Sequence, residues 1–371
     1  MKIRHFIRIT AFCVAAVCMI TFMTSFFKVN NARDVMGMYS FYKEPENSID
    51  VALIGPSQIY TGFYSPLAYR DYGFTSYALS TAGMPASLYI PAIKEMERLQ
   101  KPKLYVFEVW GFFEESVNKG FCEGSVRKFV DNMAESPNKQ DTIEQIVPGD
   151  KQITFKYPIL KYHSMWTKLP SCISILNSKI KISKRGYSLT KNFSTTTRNA
   201  TKDSKSEIDD LIFDDTAMGY LKQVLDYCKD NNMDQVLFVR FPDLCKKEDK
   251  KSFESAQKLI ESYGYTFLNM NNHKKEMGLK DFRDYYNYDH VNAYGFPKTT
   301  KYLSNYIVSN YDVKAEHTEQ VKKEWDECAK YTDKVIDYCT KMIELKNTRE
   351  CYFPDDFSTV PQAPAKKGGR S

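Results

Sequence analysis

The chain has 371 residues, of which 43% are hydrophobic, so it can bury one large core and its length permits one or two domains. The net charge of +6 comes largely from scattered lysines, and no basic stripe interleaves with aromatic residues, which excludes an obvious nucleic-acid surface. Its nine cysteines show no C-x-x-C or cysteine–histidine spacing, so we expect neither a metal site nor a redox site.

The N-terminus has the composition of a membrane anchor. Segment 1–8 is basic, and the uncharged run 9–27 approaches the roughly 20 residues that cross a ~30 Å hydrocarbon core. No signal-peptidase site follows, because Phe26 and Phe27 are bulky where the peptidase requires small residues. The positive-inside rule keeps the basic segment in the cytoplasm and places everything after the anchor outside. We therefore expect a single-pass cell-membrane protein that contacts the lipid bilayer through 9–27, followed by a linker at 28–44.

Alternating strand and helix patterns predict an α/β core over residues 45–312. The predicted strands are 49–54, 75–79, 103–111, 235–242 and 265–269. The predicted helices are a short one that opens at 65, then 85–99, 216–231, 250–263 and 295–310. Strands that alternate with helices form parallel sheets covered on both faces, so we expect a three-layer α/β/α fold around five parallel strands.

Two further regions interrupt and extend this core. Residues 115–215 show little strand pattern and are predicted to form a long insertion. Long loops on α/β domains tend to be lids or binding elements, so His163 and Trp166 are candidate substrate-binding residues; a structural histidine in an aromatic cluster is the alternative. Residues 313–350 are predicted as a helical extension that packs on the core or on a partner, and 351–371 as a disordered tail.

A serine follows the first predicted strand. The apolar run that begins at Ile49 stops at Gly55, and Ser57 comes two residues later. Ligands of open α/β sheets bind beyond the carboxyl ends of the strands, so Ser57 is a candidate nucleophile. Serine is also a preferred helix N-cap, and the alternative is that Ser57 only caps the next helix.

A stretch near the end of the predicted core can supply a base for this serine. It contains His290, and a catalytic serine needs a histidine that takes its proton and an acceptor that orients the ring. Three residues compete for the orienting role, since Asn287 stands three positions before the histidine, Asp284 six before, and Asp289 beside it. An asparagine can orient the ring but does not stabilise the imidazolium as a carboxylate does.

The order and spacing of these two stretches resemble the SGNH/GDSL hydrolase superfamily, which has a Gly-x-Ser block near the start and an Asp-x-x-His block near the end. The resemblance covers roughly residues 45–312 and implies a flavodoxin-like fold. It implies Ser57 as nucleophile and oxyanion donor, and Gly83, in the turn after the second strand, as another backbone donor. The chain departs from the superfamily at Asn287, and also at Glu108, where a Gly-x-Asn-Asp block is expected; a third oxyanion donor is missing or comes from elsewhere.

The departure at Glu108 narrows the resemblance to membrane-anchored SGNH-like proteins of bacterial envelope modification, which include the teichoic-acid D-alanyl transfer proteins. The resemblance implies an extracytoplasmic serine acyltransferase or acyl-esterase that acts on envelope polysaccharide or teichoic acid without a cofactor. It also implies an integral-membrane O-acyltransferase as the partner that hands over acyl groups. The alternative, which the missing block and Asn287 favour, is a catalytically impaired module that binds envelope polymer or scaffolds such a complex.

Overall fold

Short apolar segments form a parallel β-sheet at the centre of the protein. The computed structural model describes residues 2–200, 210–244 and 247–346. In chain order its strands are β1 Val51–Gly55, β2 Ser76–Ser80, β3 Leu104–Glu108, β4 Asp210–Leu211, β5 Val236–Arg240, β6 Lys247–Glu248 and β7 Thr266–Asn269. Five of them form one parallel sheet in the order β2-β1-β3-β5-β7, and β4 pairs with β6 separately. The predicted α/β class and the five-stranded parallel sheet are confirmed.

Both faces of this sheet are buried. In β1, Ala52 and Ile54 join one apolar cluster, whereas Val51 and Leu53 join another. Every residue of β1, β2, β3 and β5 is buried, and only the edge strand β7 is partly exposed. Continuous apolar runs are what a parallel sheet needs when both of its faces pack against other elements, which explains why these segments form strands.

Helices make most of the connections. They are α1 Lys2–Phe27, α2 Ala32–Phe41, α3 Ser57–Gly62, α4 Ser65–Tyr72, α5 Tyr89–Leu99, α6 Trp110–Asn118, α7 Glu123–Val130, α8 Pro137–Ile146, α9 Gln152–Lys156, α10 Ile159–Tyr162, α11 Leu169–Arg185, α12 Asp215–Asp230, α13 Lys250–Ser262, α14 Phe296–Asn310 and α15 Glu319–Glu344. Short 3-10 helices occupy Ala86–Leu88, His163–Lys168 and Met270–His273. Most ends of the core elements differ from the prediction by one or two residues, which is within the usual uncertainty of such boundaries.

Three predictions differ by more than that. The helix predicted at 85–99 begins as an α-helix only at Tyr89, after the 3-10 helix Ala86–Leu88. The strand predicted at 103–111 ends at Glu108, whose carboxylate accepts the backbone N–H of Trp110 at 2.6 Å as the chain turns into α6. The described part of the insertion 115–215 is mainly helical. Helices as short as α9 and α10 contain too few turns for a helical period to stand out in the sequence. Residues 201–209, together with the predicted disordered tail 351–371, lie outside the described residues.

The N-terminal helix α1 is long and apolar enough to cross a membrane. Its stretch Ile3–Phe27 has a mean hydropathy of 2.1 in the most apolar window, none of which is buried in the protein. Residues 28–44 were expected to be a linker but contain α2, which Asn31 caps by accepting the backbone N–H groups of Arg33 and Asp34. Most residues of α2 are buried, so only residues 28–31 connect α1 to an element of the body.

The C-terminal helix α15 packs on the body of the protein. It lies against α4 and buries Trp325, Val335 and Cys339. Two of these residues, Val335 and Cys339, belong to an apolar cluster that also contains Tyr285 and Val291, which flank the loop of His290. Of the two alternatives for the extension 313–350, packing on the core is therefore the observed one, and this helix supports the loop that carries the candidate base.

Candidate active site

Ser57 lies at the carboxyl end of β1, where the chain turns into α3. Gly55 ends the strand with a φ of 155°, and a Cβ there would lie 2.8 Å from the Cβ of Glu108, so only glycine permits this close approach. Pro56 is the N-cap of α3 and Ser57 is its first residue, so the serine is not the cap. In this strand order a ligand crevice is expected beyond the carboxyl ends of β1 and β3, which is where Ser57 lies.

The Ser57 hydroxyl is hydrogen-bonded to the imidazole of His290. Ser57 Oγ and His290 Nε2 are 2.6 Å apart, and on the other side of the ring His290 Nδ1 is 2.9 Å from Asn287 Oδ1. The backbone N–H of Asp289 donates to the same Oδ1 at 3.1 Å, which identifies the amide atom beside the ring as the oxygen. Because an amide oxygen only accepts, Nδ1 carries the proton and Nε2 accepts the serine hydroxyl.

The loop that presents His290 is closed at its base. Tyr285 and Val291 form an antiparallel bridge, and the Asn292 side-chain amide donates to the Tyr285 carbonyl at 3.1 Å. A Cβ at Gly295 would lie 2.2 Å from the carbonyl oxygen of Asp284, so a side chain cannot be accommodated where the loop enters α14. The histidine therefore projects from a fixed turn rather than from a free loop.

The structure separates the three candidates for orienting His290. Asn287 lies on Nδ1, as described above, and Asp289 contributes its backbone N–H to that asparagine. The fully buried carboxylate of Asp284 accepts from Lys298 Nζ at 2.5 Å instead. Asp284 thus anchors the loop to α14, and the group that faces the imidazole is an amide.

Desolvation lowers the pKa of His290 to about 3. Tyr286 covers one face of the ring, with centroids 5.1 Å apart and planes inclined by 13°. At neutral pH the imidazole is therefore uncharged, which is the form that can take a proton from Ser57. The imidazolium that this transfer creates gains only a neutral amide oxygen at Nδ1, so the site orients its base well but stabilises its charged form weakly.

A partly buried arginine lies beside this pair. The guanidinium carbon of Arg33 is 3.1 Å from the centre of the Tyr60 ring, and Tyr60 follows Ser57 by three positions in α3. Burial raises the pKa of Tyr60 to about 12, while the charge of Arg33 and a hydrogen bond with the Ser57 side chain act in the opposite direction. Arg33 thus provides a positive charge one side chain away from the serine.

The position of Arg33 is fixed by several acceptors. Nη1 donates to Asp34 Oδ1 at 2.7 Å and to the Ser80 carbonyl at 3.2 Å, and Nη2 donates to Asn192 Oδ1 at 2.9 Å. The side chain is 11% exposed, and its Nε is buried without a hydrogen-bond partner within the described part of the chain. A buried N–H that lacks an acceptor is unusual in a folded protein and calls for an explanation.

Gly83 is the second backbone oxyanion donor that the resemblance implies. Gly83 has a φ of 61° in the turn after β2, as the glycine block of the resemblance would require. The atoms that a Cβ there would meet first belong to Ser125, at 3.2 Å, and to the carboxylate of Glu114, at 3.9 Å. The turn lies at the predicted place, beside α6 and α7, and it adjoins Arg33, which donates to the Ser80 carbonyl at 3.2 Å.

Glu108 is a buried acid where the superfamily pattern has its asparagine block. Its two carboxylate oxygens accept the backbone N–H groups of Trp110, at 2.6 Å, and of Phe241, at 3.3 Å. Burial, which outweighs these hydrogen bonds, raises its pKa to about 8. Glu108 therefore joins the ends of β3 and β5 beneath the site, and it is largely protonated at neutral pH.

Replacing Glu108 with glutamine should remove a pH dependence of stability. The side chain titrates near 4.5 when unfolded and near 8 when folded, so its contribution is fully present below about pH 4.5 and is lost as the pH rises through 8. Between about pH 5 and 8.5, the unfolding free energy from urea titrations should fall by about 2–4 kcal/mol more in wild type than in Glu108→Gln.

The quantity to compare is the change of the unfolding free energy with pH. The absolute stability also changes in Glu108→Gln, because the glutamine NH₂ group faces one of the two backbone N–H groups. The exposed Glu254→Gln serves as the control and should follow the wild-type slope. Equal slopes for Glu108→Gln and wild type would contradict the raised pKa.

His163 and Trp166 are not brought into contact with Ser57 or His290. Both lie on the 3-10 helix that follows α10 and contacts α1. His163 is exposed and its Nδ1 is 2.9 Å from the carbonyl oxygen of Leu160, while Trp166 is 63% exposed. Their predicted substrate-binding role finds no support in this arrangement.

Three neighbours of the site were not identified from the sequence. Tyr60 could have been found, because a residue three positions into a helix shares a face with the first. Tyr286 lies in the same stretch as His290, but no sequence pattern predicts that a tyrosine stacks on a histidine. Arg33 lay in the expected linker, more than twenty positions before Ser57, and only the tertiary fold brings it to the site.

Ser57, His290 and Asn287 have the relative positions of a nucleophile, a base and an orienting acceptor. A scan against protein-family models and a search of the curated proteins found no match to this chain. The functional assignment therefore depends on these three side chains and their surroundings.

Proposed function

We propose that this chain is an extracytoplasmic serine acyltransferase or acyl-esterase that acts on a cell-envelope polymer. The observation that carries the proposal is the 2.6 Å contact between Ser57 Oγ and His290 Nε2, with the ring held through Nδ1 by Asn287. Acyl transfer to serine needs a nucleophile that is hydrogen-bonded to a base, and a base that is hydrogen-bonded to an acceptor. The SGNH-like three-layer arrangement is part of the proposal, and the strand order β2-β1-β3-β5-β7 supports it.

In the first step, Ser57 Oγ attacks the carbonyl carbon of an acyl donor while His290 Nε2 takes the hydroxyl proton. The tetrahedral intermediate collapses when the leaving oxygen departs with the proton from His290, and the acyl group remains on Ser57 as an ester. In the second step, His290 takes a proton from a polymer hydroxyl or from water, and the resulting oxygen attacks the acyl-serine. Collapse returns the proton to Ser57 and completes the cycle without a cofactor.

The negative charge of each intermediate needs donors close to Ser57. We assign this role to the backbone N–H groups of Ser57 and Gly83, as the resemblance implies, and we add Arg33 as a further donor. The guanidinium lies on the Tyr60 ring, is held rigid by its acceptors, and retains one buried N–H without a partner within the described residues. A donor that is positioned before the charge develops stabilises it without further reorganisation.

The anchor helix sets the location of this chemistry. The basic residues before α1 favour a cytoplasmic N-terminus, which leaves the body outside and facing envelope polysaccharide or teichoic acid. An integral-membrane O-acyltransferase is the proposed source of acyl groups. Protease added to intact protoplasts should remove the body and leave a small membrane stub, and full protection would contradict this placement.

A serine-directed fluorophosphonate probe tests the enzymatic assignment. Wild type should be labelled and Ser57→Ala should not, because the probe captures only an activated hydroxyl. His290→Ala should slow labelling by roughly 10²–10⁴-fold, the usual contribution of a general base. Ser164→Ala, at an exposed serine of the insertion, is the matched control and should label like wild type. Labelling of Ser57→Ala at the wild-type rate would overturn the assignment.

A second candidate function is a non-catalytic module that binds envelope polymer or scaffolds an acylation complex. The observation that favours it is the neutral Asn287 opposite an imidazole whose pKa is near 3, which leaves the charged base poorly stabilised. The fluorophosphonate experiment distinguishes the enzyme from the binding module. Folded wild-type protein that resists the probe but retains polymer in a pull-down would support the binding module.

A further inference from the structure

Helix α11, in the insertion, has two apolar faces. One face buries Cys172, Ile175 and Ile182 in the body of the protein. Leu169, Ile173 and Ile180, at spacings of four and seven residues, lie on another face, and they are 42%, 49% and 42% exposed. A helix that packs on one side is usually polar on the other. The exposed face of α11 is instead apolar, and nothing in the described chain covers it.

Aromatic and basic side chains border the exposed stripe. Trp166, just before α11, is 63% exposed. Lys168 and Lys184 stand at the two ends of the helix, are exposed, and make no ion pair within the described residues. Between residues 151 and 185 the sequence contains no aspartate or glutamate at all. We call Trp166, Lys168, Leu169, Ile173, Ile180 and Lys184 the α11 surface.

The α11 surface adjoins the end of the anchor helix. Phe27, in the last turn of α1, is buried in a cluster with Tyr162 and Cys172, and Phe26 packs on the same cluster. Helix α1 also contacts α10, the 3-10 helix that carries Trp166, and α11. Since α1 has the length and composition to cross a bilayer, the elements packed on its last turn lie at the membrane boundary.

We propose that the α11 surface lies in the headgroup region of the adjacent leaflet and binds anionic lipid. Exposed leucine and isoleucine residues bury their side chains among the upper acyl chains, as interfacial amphipathic helices do. Trp166 occupies the boundary level that tryptophan prefers. Lys168 and Lys184 extend their ammonium groups to lipid phosphates, whose negative charge attracts basic segments next to a membrane helix. This second membrane contact is independent of whether Ser57 is catalytic.

Trp166 offers a direct test, because the other two tryptophans are 3% and 1% exposed, at positions 110 and 325. Full-length protein is reconstituted in vesicles of phosphatidylcholine and phosphatidylglycerol that carry bromine atoms either near the headgroup or deep in the acyl chains. Shallow bromines should quench the Trp166 emission at least twofold, and deep bromines less. Trp166→Phe should abolish that quenching and leave the emission of the buried pair.

Two further variants test the apolar and the basic residues of the α11 surface separately. Ile173→Asn/Ile180→Asn should reduce the quenching of Trp166 at least twofold while the emission of the buried tryptophans shows that the protein is folded. Lys168→Gln/Lys184→Gln should lose the dependence of quenching on the phosphatidylglycerol fraction. Wild type that shows no more quenching than Trp166→Phe in these vesicles would overturn the proposal and would indicate that the α11 surface meets a protein partner instead. Unchanged lipid dependence in the lysine variant would overturn the role of anionic lipid.

Discussion

Replacing Asn287 with aspartate should increase the reactivity of Ser57 toward a small activated ester by about ten- to a hundredfold. Asn287 Oδ1 already accepts from His290 Nδ1 at 2.9 Å, so the tautomer is right in the wild-type protein. What the amide does not provide is a negative charge beside the imidazolium. The loss of about 10⁴ in rate that accompanies an aspartate-to-asparagine exchange in a serine protease triad includes the effect of a wrong tautomer, so only part of that factor is available here.

The pH–rate profile shows whether a faster reaction of Asn287→Asp comes from the charge beside the imidazolium or from a larger folded fraction. In wild type the pKa of His290 is about 3, so the rate should be flat from neutral pH down to about pH 4 and fall only below that. An aspartate at position 287 raises the pKa of His290, because the opposite charge favours the protonated ring. The variant should therefore lose activity at a higher pH than wild type as acid is added.

Asn287→Ala is the matched control at the same position. It removes the acceptor that selects the Nδ1–H tautomer, so the rate should fall below that of wild type. A rate and a pH profile that remain at the wild-type values in both variants would show that Asn287 does not act through His290. The binding-module function would then be the better assignment.

Replacing Lys298 with methionine should lower the free energy of unfolding by about 3–5 kcal/mol. Lys298 Nζ is 2.5 Å from Asp284 Oδ2, and the side chain of that aspartate is fully buried. Methionine keeps much of the lysine stem but removes the charge, so a buried carboxylate is left without its counter-ion. Urea denaturation measures the loss, and Asp284→Asn combined with Lys298→Met should recover part of it.

Lys322→Met provides the comparison for an exposed pair. Lys322 and Glu319 are 2.9 Å apart with side chains 42% and 91% exposed, so breaking this bridge should change stability by less than about 1 kcal/mol. Asp284→Asn alone should leave the shape of the pH–rate profile unchanged, since Asp284 does not contact the imidazole. A shifted profile in that variant would restore Asp284 as a catalytic acid.

The sheet was predictable because its signal is local and repeated. Each central strand is an apolar run that ends at a turn, and a parallel sheet buried on both faces leaves that pattern in the sequence. The described helices of the insertion were not predictable in the same way, because α9 and α10 have five and four residues. The helix α2 was mistaken for part of a linker, although its valine, methionine and phenylalanine residues point inward.

The sequence predicts the two positions of the candidate site, but it does not predict how the side chains around them are arranged. Ser57 and His290 each follow from a short stretch, while the choice among Asn287, Asp284 and Asp289 depended on which side chain faces Nδ1. A loop of this kind can direct any of the three toward the ring, and the ion pair of Asp284 with Lys298 becomes visible only when α14 is in place. Arg33 reaches the site through the packing of α2 beside β2, which no spacing along the chain reveals.

If α1 crosses the membrane as proposed, its short connection to Arg33 limits how far the candidate site lies from the bilayer. Six positions separate Phe27, at the end of α1, from Arg33, which lies on the ring of Tyr60 beside Ser57. Even a fully extended chain of that length spans only about 20 Å, less than the ~30 Å thickness of a hydrocarbon core. In the proposed arrangement, Ser57 therefore lies close to the lipid headgroups. Under the proposed function, an acyl donor carried in the membrane would reach Ser57 directly, whereas a polymer strand would have to approach the bilayer surface before it is modified.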